Sequence, residues 1–491
     1  MAAYILGIDQ STQGTKALVF SDTGRLLARA DLPHRQIIDE KGWVEHDPEE
    51  IRKNTLQVVR MVVEKAGIEA GQLRAVGISN QRETAMVWDR NTGKPIYNAV
   101  VWQCARGAAI CEGLKEHGEM IRAHTGLQLS PYFSAAKLAW VLQNVPGAQQ
   151  KAEQGTLCCG TMDSWLVYFL TGGKSHRTDY SNASRTQLLD IRNLCWDEDI
   201  CKLFGIPVQT LPELTDSDGF YGETDFDGFL PKPIPIHGVL GDSHGALFGQ
   251  GCLERGMVKA TYGTGSSIMM NIGETPAYSN RVVTSLAWSM GGKVNYVLEG
   301  NINYTGAVIS WLKDSVGVIS SPGETQDLAW KANPQDTTYL VPAFTGLGAP
   351  YWDSDAKAAI VGMRRTTGKA ELVKAAVESI AYQIHDVVDT MQQESGISIK
   401  QLRVDGGPTK NTYLMQFQSD ISAIPVCVPS DEELSGIGAA YAAGIGAGVY
   451  QKDALFSDEG RTIYHPDMTE AVRQEKYQGW KAAVSGVLTN K

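Results

Sequence analysis

Four short polar turns in the sequence combine an acid or a hydroxyl with glycine, and each stands beside an apolar run. They span residues 9–16, 240–245, 261–266 and 404–411. Glycine lets backbone N–H groups come close to a bound group, and turns of this kind form cradles for phosphate. One such turn alone is more simply a connection between strands. Four of them together indicate a site that handles phosphate groups.

Phosphoryl transfer is the chemistry that these turns would support. It needs donors around the phosphates, a carboxylate to hold magnesium and a base that positions the acceptor hydroxyl. The sequence offers each of these parts. It contains no Gly-x-x-x-x-Gly-Lys-Ser/Thr P-loop and no catalytic-loop signature of the protein kinases. The turns therefore predict a phosphotransferase outside those two classes.

The elements that must position these turns are strands and capped helices. Apolar runs at 4–8, 17–20 and 26–30 predict a three-stranded meander, followed by a helix that begins at Asp47 and a strand at 75–79. The second half repeats this outline with strands at 257–260 and 268–272, a helix at about 371–391 and a strand at 402–404. Strands that alternate with capped helices predict α/β layers, and the repeated outline predicts two similar domains.

Length and composition favour a globular protein with two large domains. The chain has 491 residues, of which 43% are hydrophobic and 20% are charged. We place the domain boundary near residue 250. This division gives an N-terminal domain at 1–249, a C-terminal domain at 250–451 and a C-terminal extension at 452–491.

Several classes of partner and location are disfavoured by the sequence. The formal net charge of −11 and the thinly spread basic residues argue against a nucleic-acid partner. The apolar stretch 436–448 is shorter than the roughly 20 residues of a membrane helix. It predicts a closely packed buried helix instead, and no membrane partner. The irregularly spaced cysteines lack the pattern of a zinc site and predict a reduced, cytoplasmic protein.

Long motifs in the chain resemble those of a known family. Residues 132–144 resemble the first signature of the family, and residues 358–363 together with 371–378 resemble the second. Residues 80–84, 97–104, 178–185 and 341–352 resemble a narrower branch of it. The family is that of the FGGY carbohydrate kinases, and the branch is that of the glycerol kinases. The resemblance implies two ribonuclease H-like domains of the actin-like ATPase type that flank a deep cleft. The acceptor would bind to the N-terminal domain, and ATP mainly to the C-terminal one.

The resemblance also implies roles for individual residues. Asp242 matches the catalytic base, and Asp9 matches the acid that organises Mg²⁺. The acceptor, a small polyol or sugar, would be bound by Arg82, Glu83, Trp102, Tyr132, Asp242, Ser243 and Ser267. The nucleotide would be bound by Thr12, Gln13, Gly14, Lys16, Thr264, Gly306, Ser310, Gly407 and Asn411. ATP and Mg²⁺ are the implied cofactors, and a homodimer, which is common among relatives, is the implied assembly.

Three positions depart from the glycerol kinase pattern. Ser243 and Ser267 stand where glycerol kinases carry Gln and Phe, and Ser310 replaces a Gln near the nucleotide. Two smaller side chains would open the acceptor pocket, which predicts a four- or five-carbon polyol or ketose as a better substrate than glycerol. A glycerol kinase proper remains an alternative. An actin-like ATPase switch without a metabolic acceptor remains a second one, because the same fold hosts such proteins.

Overall fold

Two mixed β-sheets form the cores of two lobes in this computed structural model, which describes residues 3–456 and 460–489. The N-terminal sheet contains β1 (Tyr4–Gln10), β2 (Gly14–Phe20), β3 (Leu26–Pro33), β4 (Leu73–Asn80), β5 (Gly222–Thr224) and β6 (Ile234–Gly241). The C-terminal sheet contains β7 (Val258–Tyr262), β8 (Ser266–Gly273), β9 (Val283–Met290), β10 (Lys293–Ile302), β11 (Leu402–Asp405), β12 (Val426–Val428) and β13 (Thr462–Tyr464). We call the two halves the N-terminal lobe and the C-terminal lobe. Part of the predicted C-terminal extension lies outside the described residues.

The two sheets repeat one topology. The N-terminal order is β5-β6-β4-β1-β2-β3, and the C-terminal order is β9-β10-β8-β7-β11-β12-β13. In the first sheet, β1 to β3 form an antiparallel meander, and β4 and β6 run parallel to β1. In the second, β7, β8 and β10 occupy the corresponding antiparallel positions, β9 pairs outside β10, and β11 and β12 run parallel to β7. The predicted meander and the predicted repetition of the outline are both confirmed.

Smaller strands decorate the lobes. A five-stranded sheet in the N-terminal lobe consists of Ile37–Ile38, Val44–His46, Ala85–Asp89, Ala99–Val100 and Leu157–Thr161. Two-stranded pairs are formed by Arg177–Asp179 with Glu213–Thr215, Leu189–Asp190 with Cys195–Trp196, and Tyr339–Val341 with Ala359–Val361.

Helices cover both sheets. The helices used below are α1 (Pro48–Ala66), α2 (Ser134–Asn144), α3 (Asp242–Gly249), α4 (Lys369–Ser395), α5 (Thr412–Ser422), α6 (Leu434–Gly446) and α7 (Glu470–Val487). Shorter helices are Ala108–Gly113, Gly118–Thr125, Ala148–Glu153, Met162–Leu170, Tyr180–Ala183, Glu198–Leu203, Gly306–Ser310 and Glu324–Lys331. None of the helices in the described part of the chain is both long and apolar enough to cross a bilayer.

Helix α1 shows how the sequence sets these elements. The Asp47 carboxylate accepts a hydrogen bond of 2.9 Å from the Glu49 N–H, as expected of an N-cap residue followed by proline. Gly67 ends the helix in the left-handed region, with φ of 66°. Between them an apolar stripe that includes Val58 and Val62 is buried against the sheet. The predicted helix start is therefore confirmed.

Helix α6 packs unusually close to its neighbours. It crosses α3 and lies on β1, β4 and β6, although it follows the C-terminal lobe in sequence. A Cβ atom on Gly438 would lie 1.9 Å from the backbone oxygen of Gly245, and one on Gly249 would lie 2.4 Å from that of Leu434. Only glycine permits two helices to approach this closely. The predicted closely packed buried helix is confirmed, and it supports the helix that begins with Asp242.

Helix α7 is anchored on the C-terminal lobe. Its Trp480 side chain is fully buried and stacks on Tyr382 of α4, with ring centroids 5.1 Å apart. The Trp480 indole N–H also donates to the Asp386 carboxylate at 2.7 Å. The helix that follows the sheets therefore forms part of the lobe's core.

Candidate functional site

Two pockets adjoin at the β7–β8 turn, and the first of them is lined by residues of both lobes. The first, which we call the polar pocket, has a volume of about 640 Å³ and lies beyond the carboxyl ends of β4 and β6, opposite the β7–β8 turn. All seven residues predicted to bind the acceptor line it, namely Arg82, Glu83, Trp102, Tyr132, Asp242, Ser243 and Ser267. The structure thus brings together residues that are scattered over the sequence.

The second pocket, which we call the apolar pocket, belongs to the C-terminal lobe. Its volume is about 680 Å³, and its walls include Ile309, Val377, Ile380 and Leu414. Five residues predicted to contact the nucleotide line it, namely Thr264, Gly306, Ser310, Gly407 and Asn411. Thr264 also lines the polar pocket, so the two pockets are joined at the β7–β8 turn. An apolar slot beside glycine-rich turns suits a flat base with phosphates directed toward the polar pocket.

The first polar turn contributes only part of its predicted residues to these pockets. Thr12 and Gln13 line the polar pocket. Gly14 and Lys16 line neither the polar pocket nor the apolar pocket. A Cβ atom on Gly14 would lie 2.6 Å from the backbone oxygen of Leu32, so glycine is needed there for strand packing. The Lys16 ammonium pairs with Glu433 at 2.8 Å, just before α6.

A chain of alternating charges links residues of the polar pocket through two fully buried side chains, Arg185 and Glu299. The Arg82 guanidinium donates two hydrogen bonds of 2.9 Å to Glu299, and its Nε lies 3.2 Å from Oδ1 of Asp242. Arg185 donates from Nε to Glu83 at 2.6 Å, and its Nη1 lies 2.9 Å from Glu299. Bidentate and charge-assisted contacts of this kind are strong and geometrically specific. The order is therefore Glu83, Arg185, Glu299, Arg82 and Asp242.

Sequence reasoning missed Glu299 and the part that Arg185 plays. Arg185 ends the stretch 178–185, which resembles the family, but the motif predicts no role for its side chain. Glu299 lies on β10 of the opposite lobe, where it follows the buried apolar residues Val297 and Leu298. The sequence does contain one signal, a single acid within a mostly buried strand. Because a buried charge requires partners, it predicts that Glu299 pairs with basic groups.

Glu83 is held in an unfavourable backbone conformation. Its φ is 58°, in the left-handed region that residues other than Gly and Asn seldom adopt. Its carbonyl oxygen accepts a hydrogen bond of 3.1 Å from the Ser134 hydroxyl at the start of α2. Backbone strain that surrounding contacts maintain is characteristic of binding sites. In this backbone conformation the Glu83 side chain contacts Arg185 and lines the polar pocket.

The aromatic wall of the polar pocket is fixed by local hydrogen bonds. The Trp102 indole N–H donates to the Thr12 hydroxyl at 2.9 Å, and the Trp102 and Tyr132 ring centroids are 5.7 Å apart. The buried Lys137 ammonium donates to the carbonyls of Pro131 and Phe133 at 2.9 and 3.1 Å, and to that of Tyr132. Burial lowers the pKa of Lys137 to about 7. This lysine clamps the segment that carries Tyr132.

Asp242 has the position of a general base. It begins α3, its Oδ1 accepts from the Ser243 N–H at 2.6 Å, and its side chain is 35% exposed to the pocket. Both of its contacts within the described residues involve Oδ1, so Oδ2 is available to accept a proton. The imidazole ring of His244, two residues after Asp242, is fully buried and does not line the pocket. His244 is therefore a residue of the interior.

Asp9 fits the role of a metal-organising acid. It is only 6% exposed, and its Oδ1 accepts a hydrogen bond of 3.0 Å from Ser79. Burial raises the pKa of Asp9 to about 6; Lys16 opposes the rise, and the negative charge of Asp242 adds to it. A buried carboxylate near another carboxylate gains most from a bound hard cation, and Mg²⁺ prefers oxygen ligands.

We expect Asp9→Asn to stabilise the protein in metal-free buffer above pH 6. Because the folded pKa of about 6 exceeds the value of 3.8 for an ordinary Asp, ionised Asp9 destabilises the fold above pH 6, and this cost disappears as the pH falls through 6 toward 4. The expected gain in the free energy of unfolding is about 1–3 kcal/mol at pH 8 and near zero at pH 4. Thermal denaturation with a chelator at both pH values measures it.

The exposed Asp227→Asn variant removes the same charge and serves as the control. It should change the stability by less than about 0.5 kcal/mol at either pH. An equal gain for Asp9→Asn at pH 4 and pH 8 would show that its effect does not come from ionisation.

Comparison with known proteins agrees with this geometry. Residues 4–249 match the N-terminal domain of the FGGY family of carbohydrate kinases, and residues 258–447 match the C-terminal domain of that family. A protein named glycerol kinase 1 from Thermotoga maritima is 50% identical, over 99% of this chain and 100% of its own length. One named glycerol kinase from Bacillus licheniformis is 46% identical, over 99% of each chain. The crystal structure of Plasmodium falciparum glycerol kinase with ADP has a TM-score of 0.93 and 36% identity, and covers 100% of this chain and 99% of its own.

Two lobes of repeated topology around a polar pocket and an adjoining apolar pocket define a two-domain kinase of the actin-like ATPase fold. The chain belongs to the FGGY family of carbohydrate kinases, on the side of the glycerol kinases. It is an ATP-dependent phosphotransferase that acts on an alcohol group of a small polyol or sugar. The predicted family, fold class and kinase activity are confirmed.

Proposed function

We propose that the enzyme transfers the γ-phosphoryl group of ATP to a hydroxyl of glycerol or of a slightly longer polyol bound in the polar pocket. The convergence of Arg82, Glu83 and Asp242 in that pocket carries the proposal. Charged groups of both signs grip neighbouring hydroxyls, and the Trp102 and Tyr132 rings suit the C–H face of a polyol. The relatives named glycerol kinase support glycerol as the first acceptor to be tested.

The proposed mechanism assigns a step to each group. Asp242 Oδ2 accepts the proton of the acceptor hydroxyl as the hydroxyl oxygen attacks the γ-phosphorus, and Arg82 keeps the carboxylate oriented. The bond between the γ-phosphorus and the β,γ-bridging oxygen breaks in the same step, and ADP leaves with that oxygen. The turn with Thr12 and Gln13 and the turn with Thr264 offer N–H and hydroxyl donors to the phosphates. Gly407 and Asn411 would contact the nucleotide further from the reaction, as would Gly306 and Ser310. Mg²⁺, held by Asp9, would neutralise charge on the phosphates when bound.

A longer acceptor is favoured by the small side chains of the pocket. Ser243 and Ser267 both line it, and the Ser267 hydroxyl has no hydrogen-bond partner among the described residues. Larger residues here would shorten the pocket and would reduce binding of a fourth or fifth carbon. The preference for longer polyols over glycerol is the second candidate for this site.

Turnover on a panel of acceptors distinguishes these candidates. We expect the double variant Ser243→Gln with Ser267→Phe to raise the ratio of kcat/KM for glycerol to that for the longer acceptors by about 10–200-fold, because filling a pocket discriminates by about this factor. The panel is glycerol, erythritol, xylitol, erythrulose, xylulose and ribulose, with ATP and Mg²⁺. The two single variants identify which position contributes. An unchanged ratio in the double variant would refute the pocket argument and leave glycerol as the acceptor.

The same assay tests the alternative that the protein is an actin-like ATPase switch without a metabolic acceptor. A kinase releases ADP only as fast as it phosphorylates its acceptor, whereas a switch hydrolyses ATP without one. We therefore expect ADP release to depend on the polyol. Acceptor-independent hydrolysis at the full rate would favour the switch.

The division at residues 1–249, 250–451 and 452–491 is likewise proposed. The gap between the two matched family domains, residues 250–257, supports the first boundary. The homodimer and the cytoplasmic location stay predictions as well. Light scattering after size-exclusion chromatography would establish the oligomeric state.

A further inference from the structure

Glu299 is a fully buried acid of the C-terminal lobe that touches two arginines of the N-terminal lobe. Its side chain has an exposed fraction of 0%, and its two oxygens each accept a hydrogen bond of 2.9 Å from Arg82. Arg185 Nη1 lies 2.9 Å from one of these oxygens. Burial alone would raise the pKa of Glu299, but Arg185 and Arg82 hold that pKa below its ordinary value. Glu299 is therefore ionised at any working pH.

Each arginine directs its Nε at a carboxylate of the polar pocket. Arg82 Nε lies 3.2 Å from Asp242, and Arg185 Nε donates to Glu83 at 2.6 Å. The two pocket carboxylates are thus attached to one carboxylate of the other lobe through two rigid guanidinium groups. A shift of Glu299 would move both of them.

The negative charge of Glu299 also decides how Arg82 meets Asp242. A guanidinium prefers to pair with a carboxylate through two parallel hydrogen bonds. Glu299 occupies the two terminal nitrogens of Arg82, so only Nε faces Asp242. Without that charge, the terminal nitrogens would be released to pair with both oxygens of Asp242. The oxygen that accepts the proton of the substrate would then be blocked.

We infer that Glu299 is a positioning residue for phosphoryl transfer, through which the C-terminal lobe sets the spacing of Asp242 and Glu83 and keeps Oδ2 of Asp242 accessible. The inference rests on the proposed roles of Asp242 and Glu83 in binding and activating the acceptor. It gives the nucleotide-binding lobe a direct part in the acceptor site.

Steady-state kinetics of Glu299→Gln test the inference. We expect kcat to fall about 10–100-fold and the KM for the acceptor to rise several-fold, because a misplacement of about 1 Å at the reacting groups has effects of this size. The KM for ATP should stay within about twofold, since the apolar pocket is not touched. Glu299→Asp keeps the charge, and its kcat should be about tenfold higher than that of Glu299→Gln. An increase of Tm on addition of ADP verifies that each variant is folded.

Glu378→Gln is the matched control. Glu378 is a buried acid of the same lobe that accepts a hydrogen bond of 2.6 Å from Tyr413 and lies 3.7 Å from Lys374. Its variant should lower Tm but leave kcat and the acceptor KM within about twofold. The inference is overturned if Glu299→Gln behaves like this control, or if Glu299→Asp is as slow as Glu299→Gln. Wild-type inactivity on every polyol would instead refute the proposed function, and the inference with it.

Discussion

Asp242→Asn is expected to lower kcat by about 10²–10⁴-fold and to leave the fold intact, since this is the usual contribution of a positioned general base. Asparagine has the shape of aspartate and can still accept the hydrogen bond from the Ser243 N–H. It cannot accept the proton of the acceptor hydroxyl, so the attacking oxygen remains a poor nucleophile. Turnover with ATP, Mg²⁺ and the preferred acceptor measures the loss.

Asp227→Asn again supplies the control for the change of charge, because Asp227 is exposed and lines neither pocket. Its kcat should stay within about twofold of the wild-type value. The Tm increase caused by ADP should be retained in Asp242→Asn, which shows that the nucleotide still binds. If Asp242→Asn keeps more than a tenth of the wild-type kcat, Asp242 is not the base.

Local patterns explain why so much of the fold was predictable. Strands β1 and β2 are largely buried, mainly apolar runs beside polar turns, and the start of α1 carries its cap, Asp47, in the sequence. These signals depend on neighbours a few residues apart. The acceptor residues were predictable for another reason: their motifs resemble those of a family, and the structure gathers all seven in one pocket.

The partners of the site were beyond sequence reasoning because they are distant along the chain. Arg82 and Glu299 are separated by 217 residues, and no periodicity connects a position after β4 with one on β10 of the other lobe. The same holds for α6. Its apolar, glycine-rich composition predicts burial. Its contact with the N-terminal sheet depends on the path of the chain, which returns from the C-terminal lobe to the N-terminal lobe at this helix.

The packing of α6 leads to the second large expected effect, that of Gly438→Ala. The added Cβ would lie 1.9 Å from the backbone oxygen of Gly245, and neither backbone can move without displacing α3 or α6. Overpacking of this kind costs about 1–3 kcal/mol, and more where backbone atoms clash. We expect the free energy of unfolding to fall by about 3 kcal/mol or more. Any folded fraction should have a kcat lowered by about 10²-fold, because α3 carries Asp242.

Gly486→Ala tests whether this effect comes from the clash or from the loss of a glycine. Gly486 lies in α7, and a Cβ atom there would meet nothing within 4 Å. Alanine in an open helical position stabilises a protein by about 0.5–1 kcal/mol, so this variant should gain stability in urea denaturation and keep its kcat. A Gly438→Ala protein as stable as the wild type would mean that the two helices can separate at little cost. In that case the position of Asp242 would depend on its contact with Arg82 more than on the crossing of α3 and α6.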